Sequence, residues 1–288
     1  MVTTEPPWSA REHERGLDAL ARRENFPVAA RLLPGRHRAH LRAVYGFARL
    51  VDDIGDEAPG AHRVALLDSV DADLDLLYKG RAPVLPQLRR LAETVHARGI
   101  PQEPFRRLVQ ANRRDQEVTR YASFDELLGY CVLSANPVGR IVLHVFGAEG
   151  RGLEEASDRV CTALQVIEHC QDVAEDFRAG RIYLPGEDLR RFGCAEDDLS
   201  RAVTPTRLRG VLALESNRAR DLLDRGAAPL MAGLRGWARI AVAGYVAGGR
   251  AALAALVRGR YDVLARTPRP RGPVLLANWA SALGGGRR

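Results

Sequence analysis

Aromatic residues make up only 6% of this 288-residue chain, and it holds just four cysteines and two methionines. The cysteines, Cys131, Cys161, Cys170 and Cys194, form no CxxC pair and have no histidine at zinc-ligand spacing. They are expected to be reduced, buried thiols of a cytoplasmic protein. Residues 1–8 lack a basic-then-apolar leader. No apolar run is long and uncharged enough to read as a span. The best candidate, 236–257, is broken by Arg239, Arg250 and several glycines, whereas a bilayer needs about 20 nearly uncharged residues. It reads as a core helix. Sustained alternation of apolar and polar residues is missing too, so essentially no sheet is expected. There is no Walker motif, nucleophile elbow or GxGxxG, and Gly147-x-x-Gly150-x-Gly152 follows no predicted strand.

Helix-forming residues are abundant: Ala, Leu, Arg and Val dominate, with 46% apolar and 27% charged residues overall. Ser9-x-x-Glu12 and Ser123-x-x-Glu126 read as capping boxes, the first opening a helix to Arg23. Apolar residues at Val64, Leu67, Val70, Leu74 and Leu77 mark a helix over 62–78. The same reasoning predicts helices near 36–57, 84–98, 103–120, 124–145, 152–178, 205–224 and 229–258. The expected organisation is an N-terminal helix over 1–24, one helical domain over 25–266, and an aperiodic Pro/Gly/Arg tail over 267–288. The net charge of +7 would suit an anionic partner, either a phosphate ester or a membrane surface touched transiently. No nucleic-acid partner is expected.

Two acidic segments carry the chemistry. The first reads Y-G-F-A-R-L-V-D-D-I-G-D-E from Tyr45. On a helix Asp52 and Asp56 would differ by about 40° in direction and about 6 Å in height, with Arg49 one turn earlier. The second reads Q-V-I-E-H-C-Q-D-V-A-E-D-F-R-A-G-R-I-Y-L-P from Gln165, repeating the spacing at Asp172 and Asp176 with Glu168 extending the row. Like charges at this spacing destabilise a helix by a few tenths of a kcal/mol; a divalent cation reverses that. Such hard oxygens suit Mg²⁺, which takes one or two carboxylates together with water and phosphate oxygens. Facing each other, the two rows could hold two or three Mg²⁺ around a diphosphate. Arg49, Arg178 and Arg181 would add charge-assisted hydrogen bonds. The bland alternative, two solvated acidic faces, is weakened by the apolar character of both helices.

On these residues the chain resembles the squalene/phytoene synthase family. The family's first DxxxD motif falls on Asp52 and Asp56 with Asp53 between them, and its second, followed by R-x-Y, on Asp172, Asp176, Arg181 and Tyr183. Its active-site tyrosine and glutamine match Tyr130 and Gln165, and the likeness runs from about Glu24 to Arg266. Three stretches (Glu24–Pro34, Ala43–Glu57 and Ser134–Arg140) are most similar to the C-type squalene synthases of bacterial hopanoid clusters. The resemblance implies an all-α isoprenoid-synthase fold with a central apolar cavity. It also implies metal ligands at Asp52, Asp53, Asp56, Glu168, Asp172 and Asp176, with diphosphate contacts at Arg49, Arg178 and Arg181. The implied reaction converts presqualene diphosphate, made from farnesyl diphosphate, to hydroxysqualene without NADPH. Squalene, dehydrosqualene or phytoene formation is the rival within the family, and a basic helical lipid- or partner-binding module the rival outside it. An elongating enzyme or a class I cyclase would need a DDxxD or an NDxxSxxxE-type second motif, and neither is present.

One departure is Glu168, where much of the family carries asparagine. Asn136-Pro137 predicts a kink in the helix carrying Tyr130, whose freed polar groups are candidates for positioning water, against a simple packing kink. Small residues such as Ala135, Gly139, Ala163, Ala243, Gly244 and Gly248 could make room for a substrate or pack helices closely. His37-x-x-His40 reads as an exposed basic face and His169 as structural, about 60° off the Asp172 face. Arg266, Arg269 and Arg271 lie either near substrate phosphate or in a solvated tail.

Overall fold

The computed structural model describes residues 32–150, 152–270 and 272–284. The predicted helix at Ser9–Arg23, and the whole 1–24 segment, lie outside those residues.

Burial of one stripe per helix builds the first half of the fold. Helix α1, Gly35–Asp56, buries Val44, Phe47, Leu50, Val51 and Ile54, spaced three and four apart. Helix α2, Gly60–Tyr78, follows Pro59 and buries Leu67, Val70, Leu74 and Leu77. Helix α3, Pro86–Arg98, starts with proline and ends at Gly99 in the left-handed region (φ 60°). Helix α4, Gln102–Arg114, brings Phe105 edge-on to Phe47 at 5.1 Å between ring centroids. These four helices share one apolar cluster that also takes in Ile141 and Val145. Truncating Phe47 or Phe105, both 0% exposed, would cost about 3–5 kcal/mol.

A second cluster is built on the later helices. Helix α5, Phe124–Ser134, is capped by the Ser123 hydroxyl, which accepts from Glu126 N at 3.2 Å. The reciprocal bond to the Glu126 carboxylate comes from Ala122 N, one residue earlier than a capping box requires. Helix α6, Asn136–Phe146, follows a break at Ala135, so the predicted kink is a full interruption. Helix α7, Glu154–Gln171, and the short α8, Val173–Arg178, replace the continuous helix expected over 152–178. A short α9, Gly186–Arg191, and a 3-10 turn, Glu196–Ser200, precede α10, Thr206–Gly233. Helix α10 runs through Pro229, where a break was expected. Close packing on α7 holds it: a Cβ on Gly226 would come within 2.6 Å of Ala156 O. The chain turns instead at Leu234–Arg235 into α11, Gly236–Arg258.

By length and composition α11 could cross a membrane, yet 67% of its apolar window is buried inside the protein. The tail, expected to be aperiodic, contains α12, Gly272–Gly284, lying against α11. Thirteen uncharged residues between proline-rich and glycine-rich flanks satisfy a helix without the three-to-four periodicity that sequence reading relies on. No strand occurs among the described residues; an isolated parallel bridge joins Arg120 to Ile182. Helix α4 ends at Arg114, before the predicted 120, in turns closed by Gln116 N to Arg113 O and Glu117 N to Arg114 O, and Thr119 O then accepts from Ile182 N at 2.9 Å. The four cysteines are unbonded; Cys131 and Cys170 are buried and the other two half-buried.

Candidate active site

Each acidic segment belongs to a different apolar cluster, and the polar groups between them connect the two halves. Asp53 is buried and pairs with Arg49 one turn earlier. Asp52 accepts a bond from Asn112 Nδ2 of α4 at 3.1 Å. That bond depends on Gly55, where a Cβ would sit 2.1 Å from Asn112 Oδ1. Gln116 then donates to Gly55 O and Asn112 O at 3.1 and 3.0 Å, and accepts from Arg63 at 3.0 Å. Asp56, at the exposed end of α1, meets Arg181 Nη1 at 2.8 Å. Arg181 follows the second acidic segment, so this ion pair joins the two motifs directly.

The second segment is arranged differently. Asp172 has φ −103° and ψ 16°, ending α7 and beginning α8. Backbone bonds from Glu175 N and Asp176 N to Asp172 O, both 2.8 Å, carry the chain past the break. Glu168 is half-buried one turn before it, and Arg178 is exposed. Asp176 Oδ2 lies 3.8 Å from His169 Nδ1. The His169 ring stacks on Tyr183 at 3.9 Å and 14°, and its Nε2 contacts Gln165 Nε2 at 3.3 Å.

Asp115 ties this group together. Its two carboxylate oxygens accept from Tyr130 at 2.6 Å and from Tyr183 at 3.0 Å. Tyr121 stacks on Tyr183 at 5.7 Å, and the Arg114 guanidinium lies 5.9 Å from the Tyr121 ring centroid. The Arg120–Ile182 bridge sets this register, since it lays Tyr183 beside the chain leaving Asp115. The Asn136 side chain accepts from Thr162 at 2.9 Å, the bond a packing kink between α6 and α7 requires. Gly139 also packs closely: a Cβ there would lie 2.4 Å from Ser157 Oγ and 2.5 Å from Cys161 Sγ.

Burial dominates the electrostatics. It pushes the Asp52 carboxyl up to about 6, against the Asn112 bond and the Arg49 charge. Burial, then the charges of Asp176 and Glu175, raise Asp172 to about 6. Burial also raises Asp115, opposed by both tyrosine bonds, and raises the Tyr130 and Tyr183 phenols, which therefore stay protonated donors. Among the described residues no three Asp, Glu, His or Cys side chains converge into a ready-made ligand set. An all-oxygen donor set with under-compensated buried carboxylates still fits Mg²⁺, whose remaining positions go to water and substrate oxygens.

The family model for squalene/phytoene synthase matches residues 20–275. The chain belongs to that family. A hydroxysqualene synthase of Sinorhizobium fredii is 36% identical over 214 residues, covering 73% of this chain and 72% of that protein. A phytoene synthase of Mycobacterium tuberculosis is 34% identical over 206 residues, covering 70% and 67%. The crystal structure of squalene synthase HpnC from Alicyclobacillus acidocaldarius has a TM-score of 0.77 at 39% identity, covering 88% of this chain and 95% of the other. This squalene/phytoene synthase family member is therefore an enzyme, and its expected kinship with the HpnC branch is borne out.

Sequence reading missed Asn112, Asp115 and Gln116. The signal was present, since Asn112 and Asp115 continue the stripe begun by Phe105 and Leu108 at helical spacing. Polar residues on a core-facing stripe need a partner, and here the partners are the two motifs. His169 was placed off the site because the angle assumed one continuous helix; the break at Asp172 removes that assumption. His37, read as exposed, is 7% exposed and lies 5.0 Å from the Phe146 ring, while His40 contacts Thr94 Oγ1 at 3.0 Å. The tail reaches the site: Gln171 Nε2 donates to Pro268 O at 2.6 Å, and Arg269 opposes the rise of the Asp172 pKa.

Proposed function

We propose that this enzyme converts presqualene diphosphate to hydroxysqualene, using Mg²⁺ and no nicotinamide. The observation that carries the reading is the Arg181–Asp56 ion pair, which makes two segments remote in sequence into one site. Bound Mg²⁺ would supply Lewis-acid neutralisation of the departing diphosphate. Asp52, Asp53, Asp56, Glu168, Asp172 and Asp176 are the side chains assigned to hold it. Arg49, Arg178 and Arg181 donate to diphosphate oxygens, with Arg181 exchanging Asp56 for substrate.

The C–O bond breaks with its electron pair leaving on the diphosphate. The cyclopropylcarbinyl cation rearranges, and water adds, losing a proton to the diphosphate. Tyr130 and Tyr183 have their protons committed to Asp115, so each offers oxygen lone pairs toward the cation or the incoming water. His169, in contact with Gln165, stacks on the Tyr183 ring and holds its orientation. Asn136, bonded to Thr162 at the start of α6, is the remaining candidate to place water. An apolar chamber next to these groups would keep bulk water from the cation until rearrangement is complete.

Likeness to a phytoene synthase at 34%, against 36% for a hydroxysqualene synthase, makes a different head-to-head product the second reading. Purified enzyme is given presqualene, farnesyl or geranylgeranyl diphosphate with Mg²⁺, with and without NADPH. The expected result is hydroxysqualene from presqualene diphosphate, unaffected by NADPH. Turnover of the twenty-carbon substrate alone would replace this reading with the second.

A further inference from the structure

The net positive charge of this protein comes from the C-terminal quarter of its sequence. Residues 225–288 hold eleven arginines, no lysine and one acidic residue, Asp262, a net charge of +10; the whole chain nets +7, so residues 1–224 net −3. Within that basic quarter lies α12, which has no charged residue and buries only Ala282. Its outward positions, Pro273, Leu276, Ala277 and Ala280, fall three and four apart and are all exposed. Leu276 is 52% exposed and Trp237, on the first turn of α11, 40%.

Arginines flank this stripe at both ends. Arg239 donates to Leu283 O at 2.9 Å, which puts it at the C-terminal end of α12; Arg235, exposed and four residues earlier in the chain, donates to Leu234 O at 3.0 Å. Arg266 and Arg269, both exposed, precede its N-terminal end. Trp279 Nε1 bonds Ile240 O at 3.2 Å, fastening α12 to α11.

We propose that the outer face of α12, with Trp237, docks on an anionic lipid bilayer. An uncharged apolar stripe between cationic ends matches an acyl boundary lined by anionic headgroups. A nucleic-acid backbone would find no donors along the stripe, and a second copy would bring like charges together at both ends. The stripe is short, so the arginines carry most of the affinity, on the order of five-fold each. Binding is therefore peripheral and salt-dependent. The docking stands independently of the proposed chemistry. Given that chemistry, the Gln171–Pro268 contact joins the docked end to the second acidic segment.

Co-sedimentation of the full chain with vesicles tests this. Vesicles of equal parts phosphatidylcholine and phosphatidylglycerol should bind it at low salt and release it at about 0.5 M salt, where screening acts within a few ångströms. Phosphatidylcholine alone should not bind it. Leu276→Glu and, separately, Arg235→Glu should each lower the bound fraction several-fold, with thermal melts and turnover of detergent-dispersed substrate unchanged. Equal binding to both vesicle types, or wild-type binding by both variants, overturns the proposal. A dimer in sedimentation equilibrium that Leu276→Glu dissociates assigns the face to a second copy and overturns it as well.

Discussion

The two acidic segments share a four-residue spacing and little else. The first lies on an unbroken helix, with each aspartate engaged by the protein: Asp52 by Asn112, Asp53 by Arg49 and Asp56 by Arg181. The second straddles a helix break: burial and the neighbouring charges of Asp176 and Glu175 raise Asp172, and Asp176 lies 3.8 Å from His169 Nδ1. Equal spacing thus gives a held set of carboxylates and a more open one. The held set fixes position. Burial lifts one carboxyl in each set to about 6, Asp52 and Asp172, so both sides keep charge that the fold compensates poorly and that a cation-bridged diphosphate would neutralise.

Removing one carboxylate from each side is the strongest test of that contrast. Asp52→Asn and Asp172→Asn should each lower kcat by about 100-fold or more, the scale of losing a preorganised electrostatic group. Raising Mg²⁺ should rescue Asp172→Asn further than Asp52→Asn, because fewer protein groups are lost with it; identical responses would erase the distinction. Steady-state turnover across a Mg²⁺ series reads both.

Stability should move the opposite way. The Asp52 carboxyl sits at about 6 in the fold against an ordinary value of 3.8. Its charged form is therefore disfavoured by folding, and the apo protein loses stability as pH rises between those values, then levels off. Asp52→Asn should consequently stabilise the metal-free protein by up to roughly 3 kcal/mol above pH 6, and by little at pH 4. Thermal melts in chelator at both pH values decide it. An unchanged melting temperature at pH 8 would mean that Asn112 and Arg49 fully offset the burial.

The smallest expected effect concerns Asp115, which belongs to neither segment. Asp115→Asn leaves one acceptor where two tyrosines need one each, and should reduce kcat about ten-fold with KM nearly unchanged. Asp115→Glu should recover part of that loss if its role is to aim Tyr130 and Tyr183. A loss confined to KM would place Asp115 in diphosphate binding and blur its separation from the acidic rows.

The all-helical fold and the first segment were legible because apolar periodicity and an unbroken helix are local properties. Helix α1 was read to within a residue of each end. What escaped depended on contacts distant in sequence. The break at Asp172, the early end of α4 and the passage of α10 through Pro229 lie outside what local periodicity marks, and for α10 the close packing of Gly226 on α7 shows why. Asp115 is the instructive case: its spacing on α4 was visible, but its partners lie 15 and 68 residues further along the chain.

The Arg120–Ile182 bridge makes loop length a functional quantity. Ile182 N bonds Thr119 O and Gly186 N bonds Tyr121 O, so the count of residues from Arg178 to Ile182 sets which way Tyr183 points. Inserting a single residue there would leave every helix intact and turn that phenol to the opposite side of the chain. Substitutions in this turn can therefore accumulate far more readily than insertions or deletions. Anyone grafting the second motif onto another helical scaffold would have to transplant its spacing along with its side chains.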